Sequence, residues 1–97
     1  MMLQESIQNF REHVLRVGIQ SKWDNHLTEP VHKNAAHLVR LLHEEAKPEE
    51  VRSAAEKVEA ALMVCGSSLL LELPVIDKLI AQMHDILEAY EKEKASF

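Results

Sequence analysis

Cysteine occurs once in the 97 residues, glycine twice and proline three times, and aromatic side chains make up 4% of the chain. Each scarcity excludes something. A lone cysteine, Cys65, permits no intrachain disulfide framework, and its apolar surroundings read as a small buried hydrophobe. Gly18 and Gly66 stand too far apart to form a glycine-rich phosphate loop. So few glycines and prolines cannot punctuate a meander of short strands, which argues against a sandwich or barrel. Basic clusters are also missing: 11 Lys and Arg face 16 Asp and Glu, for a net charge of −5. No stripe of cations matches a phosphate backbone or an anionic bilayer, so neither nucleic acid nor membrane is expected as a partner. The first residues lack the basic and apolar regions of a signal peptide. The longest apolar-rich run, Ala60 to Leu71, is interrupted by Gly66-Ser67-Ser68 and falls short of the roughly 20 residues needed to span a bilayer. These readings point to a cytoplasmic protein.

What the chain does have is aliphatic mass at helical spacing: 13 Leu, 10 Ala, 8 Val and 5 Ile. Leu3, Ile7, Phe10, Val14 and Val17 recur every three or four residues, which keeps one stripe on a helix. Thr28-Glu29-Pro30 then looks like a helix start, with Val31, Ala35, Leu38 and Leu42 inward and Val39 and Leu41 widening the apolar face. Lys47-Pro48-Glu49-Glu50 is a second start, with two carboxylates where the helix dipole favours them. Val51, Ala54, Val58, Ala61 and Cys65 follow, and Ala54, Ala55, Ala60 and Ala61 make a small-sided inner face. After Pro74, a seam of Ile76, Leu79, Met83, Ile86, Tyr90 and Phe97 completes the pattern. Trp23, in the polar connector, is expected to cap the bundle end. The fold expected is all-α: a single domain over residues 1–97, an antiparallel four-helix bundle with helices at about 3–19, 30–46, 49–66 and 74–94.

The run Leu69-Leu70-Leu71-Glu72-Leu73 holds more leucine than one connection in a small bundle should hide. It either plugs the bundle end or faces another chain. The second option predicts a homodimer with Leu69, Leu70, Leu71, Leu73, Ile80 and Leu87 as the contact surface. The function expected is therefore that of a non-enzymatic protein–protein interaction module, a small regulator, adaptor or chaperone acting through apolar helix faces.

Catalytic and metal patterns give little support to the alternatives. Six histidines are present, but neither His-x3-His nor Glu-x2-His is expected on an inward face, as zinc or a di-iron centre would need. His84 and Glu88 share a helix face, and two ligands do not make a site. No Gly-x-Ser-x-Gly elbow supports a nucleophile. No cofactor, metal or enzymatic activity is expected. One constellation stands apart: Lys33, His37, Arg40 and Glu44 share a polar face, which places an exposed imidazole one turn from a cation. The stretch Ala36-His37-Leu38-Val39-Arg40 resembles the centre of histidine phosphotransfer domains, themselves four-helix bundles. Leu41 stands where that family carries a glycine. The resemblance implies an alternative function, a phosphorelay protein with His37 as phosphoacceptor and Arg40 offsetting the phosphate charge.

Overall fold

Each apolar stripe folds into one helix with that stripe inward. The computed structural model describes residues 3–21, 28–68 and 71–95, which form α1 (Leu3–Ser21), α2 (Glu29–His43), α3 (Pro48–Ser67) and α4 (Leu73–Ala95). Ile7, Phe10, Val14 and Val17 of α1 are buried, as are Val31, Ala35, Leu38 and Leu42 of α2. From α3 come Val51, Ala54, Val58, Ala61 and Cys65, and from α4 Ile76, Leu79, Met83, Ile86 and Tyr90. A fully buried aliphatic side chain contributes about 1.5–3 kcal/mol, so this shared core is the main favourable term. Ala60 departs from expectation. It is exposed, and the small inner face of α3 consists of Ala54, Ala55 and Ala61. Trp23, Leu69, Leu70 and Phe97 lie outside the described residues.

The helices sit in a ring in chain order: each packs on its sequence neighbour, α4 closes back on α1, and the two diagonal pairs make no close backbone approach among the described residues. Cross-helix pairs fix the direction of α4 against α3. Arg52 pairs with Glu91, and His84 Nε2 lies 3.8 Å from Glu59. Seven residues forward on α3 thus match seven residues backward on α4, an antiparallel register. A part-buried contact of 2.6 Å between His13 Nδ1 and Gln82 Oε1 ties α1 to α4.

The second helix stops at His43, three residues before the end that apolar spacing suggests. The reason is local. Glu45 takes the left-handed conformation with φ of 55°, and the Ala46 and Glu45 amides donate to the Leu41 and Leu42 carbonyls at 3.0 and 3.3 Å. That double bond is a Schellman ending, which satisfies the last carbonyls of the helix. Lys47 is extended, as the residue before a proline prefers, and Pro48 opens α3. The Tyr90 hydroxyl donates to the Ala46 carbonyl and so pins the end of α4 to this turn. Lys94 lies 5.4 Å from the centre of the Tyr90 ring and 3.7 Å from the Glu45 carboxylate, closing the same corner.

Candidate functional site

Two opposite sides of the ring differ from an ordinary solvated helix surface. The first is the α3/α4 side at the end where α3 finishes and α4 begins. Met63, Val64 and Leu73 are 57%, 47% and 66% exposed there. They escape burial because they fall off the core stripes: Met63 and Val64 immediately precede buried Cys65 on the outward side of α3. One helical turn beyond Glu59 and His84, the antiparallel register places Met63 opposite Ile80, which is half-buried against the core. No charged residue occurs from Ala60 to Leu71. Isolated exposed apolar side chains are normal, but a contiguous uncharged group of them marks a contact surface.

Among the residues expected at a partner surface, Leu73 is exposed, whereas Ile80 and Leu87 are half-buried on the same flank of α4, seven residues apart. Leu71 is in the core and takes no part in the surface. Leu69 and Leu70 fall outside the described residues. Met63 and Val64 were absent from the sequence-based set. The signal for them was available, since they are large apolar residues off the inward stripe in an uncharged stretch.

The opposite side, between α1 and α2, is the least closely packed of the four helix pairs. Its groove of about 620 Å³ exceeds those between α2 and α3, about 470 Å³, and between α3 and α4, about 350 Å³. Small residues cause the gap: Ala35 and Ala36 of α2 stand where longer side chains would meet α1. Phe10, Val14 and Val39 form the buried floor, and Leu15, 44% exposed, overhangs it. The polar lining is Arg11, Arg40, His32, His43 and Glu44, so two guanidiniums and two imidazoles face one carboxylate. His32 buries its Nδ1 without a hydrogen-bond partner among the described residues, an arrangement that costs about 1–3 kcal/mol where no partner is found.

The structure brings His37 and Arg40 together. Arg40 Nη2 donates to His37 Nδ1 at 2.9 Å, and both residues are exposed. This geometry keeps the proton of a neutral ring on Nε2, so neither nitrogen presents a free lone pair until the guanidinium moves. Glu49, Glu50 and Lys57 line the same α2/α3 groove as His37, so two carboxylates and one amine face it from α3. Lys33 of the same polar face is taken by Glu29 at 2.8 Å. That contact holds the carboxyl below its ordinary pKa and the amine above its own.

No three His, Cys, Asp or Glu side chains gather as a metal site among the described residues. The sequence does contain one Glu-x2-His pair, Glu29 and His32, but Glu29 is exposed and engaged with Lys33. Cys65 is fully buried, and burial pushes its thiol pKa up, away from the reactive thiolate. No described helix is long and apolar enough to cross a membrane. Compared with protein-family models, curated proteins and solved structures, the chain matches none.

Proposed function

We propose that this chain is a non-enzymatic protein–protein interaction module, a small regulator, adaptor or chaperone, and that it works as a homodimer through the α3/α4 end. One observation carries the reading: Met63, Val64 and Leu73 lie exposed where α3 finishes and α4 begins, beside a stretch of α3 that holds no charge. Residues 1–47 sum to zero, so the whole net charge of −5 lies in residues 48–97. Two copies approaching by this acidic half repel least across the uncharged end of α3, which Glu72 and Asp77 flank at the start of α4. A two-fold axis through it would set each patch against its equal, with Leu73 and Ile80 beside Met63 and Val64.

Light scattering after size exclusion tests this. The wild-type chain is expected at twice the 11.1 kDa protomer mass. Val64→Glu is expected at the protomer mass with unchanged helical circular dichroism, because Val64 is exposed and the variant sets two like charges face to face. A wild-type chain at the protomer mass at high concentration removes the proposal. The phosphorelay alternative has less behind it, since Arg40 occupies His37 Nδ1 and two glutamates line the same groove.

A further inference from the structure

We propose that the α1/α2 groove binds a small anionic amphiphile, a molecule with one carboxylate on a hydrocarbon body. This site lies across the ring from the α3/α4 patch and does not depend on self-association. Three observations converge on it. The volume, about 620 Å³, falls within the roughly 300–1,000 Å³ usual for small-molecule pockets. The floor is apolar: Phe10, Val14 and Val39 supply it, and Ala36 and Leu15 continue it outward. The charged lining is net cationic where the chain as a whole is acidic, with Arg11 on one wall and Arg40 on the other against the single carboxylate of Glu44.

Chain direction arranges these parts in order. Antiparallel packing puts Arg11 toward the Arg40 end of α2, and Leu15 toward the His32 end. The groove follows α2 from His32 to Glu44, roughly 18 Å at 1.5 Å per residue. Arg40 donates one Nη2 hydrogen to His37 Nδ1, and a carboxylate between the two walls would accept from its remaining guanidinium hydrogens and from those of Arg11. The hydrocarbon body would then lie along Val14, Ala36 and Leu15, where it covers the overhanging leucine. Arg11 has no ion pair with a described residue, so its charge is available to a ligand.

The test titrates the full chain with dansyl-labelled undecanoate and with its methyl ester, read by dansyl emission. One saturable site is expected for the acid, with the ester at least about tenfold weaker, or about 1.4 kcal/mol. Arg11→Gln and Arg40→Gln should each weaken the acid about tenfold and leave the ester unchanged. Ala36→Trp should abolish both without lowering the melting temperature, because Ala36 lines the groove and is exposed. Equal binding of acid and ester, or undiminished binding by the tryptophan variant, overturns the proposal. So does a groove occupied by a second copy, which would appear as a mass lowered by Ala36→Trp together with no acid binding.

Discussion

The α1/α2 and α3/α4 pairs are built from helices of similar amphipathic design, yet they meet solvent differently. Between α3 and α4, Ala55 is buried beside Met83, and the Arg52–Glu91 ion pair and the Glu59–His84 contact bridge the outer edge. Between α1 and α2, Ala35 and Ala36 face α1 with short side chains, and a groove opens over Phe10. The acidic half is closed along most of its length and neutral only at one end. The balanced half is open and lined by cations. Close packing and local charge thus vary independently in one small bundle, because the first follows side-chain volume and the second follows the outward positions.

The largest expected difference comes from shortening leucines on the two sides. Leu62 is fully buried in α3, so Leu62→Ala should cost about 2–5 kcal/mol. Leu15→Ala, over the groove, should stay within about 0.5 kcal/mol. Chemical denaturation compares them, and equal losses would mean that α1 and α2 are closed in solution. Lengthening alanines sharpens the same contrast. Ala55→Leu should cost about 1–3 kcal/mol by overpacking, whereas Ala36→Leu should be neutral or stabilising, as melting temperatures will show.

The smallest effect concerns the corner that both halves share. Tyr90→Phe removes the hydrogen bond to the Ala46 carbonyl and should cost about 1 kcal/mol at neutral pH. Burial pushes the Tyr90 phenol above its ordinary pKa of about 10. As pH climbs, the unfolded chain therefore loses this proton before the folded one does. The contribution is whole below about pH 10 and is lost as pH rises through the folded value. Wild type should lose melting temperature more steeply above that pH than the phenylalanine variant. Parallel slopes would show that the hydroxyl is not desolvated. Cys65, also raised by burial, adds loss of the same sign in both proteins.

Much of this architecture was readable from spacing. Every residue of the stripes Ile7 to Val17, Val31 to Leu42, Val51 to Cys65 and Ile76 to Tyr90 is buried, because a stripe repeating every three or four residues has one way to hide; Ala60, off that spacing, is the inward assignment that failed. The candidate surfaces were harder to read. Leu71 looked like contact surface, but the start of α4 turns it into the core, while Met63 and Val64 sit one and two positions before the inward Cys65 and face water. Leu15 and Ala36 carried no sequence signal at all, since a groove belongs to two helices together.

Linear order and residue chemistry determined four helices, their inward faces, the proline-led starts of α2 and α3, and the placing of the net charge in the second half. Tertiary structure alone decided the register of α3 on α4 and the gap over Phe10. Helical periodicity says which way a side chain turns. How closely two backbones approach depends on the volumes that happen to oppose each other across the 8–10 Å or so between axes, and those partners are distant in sequence.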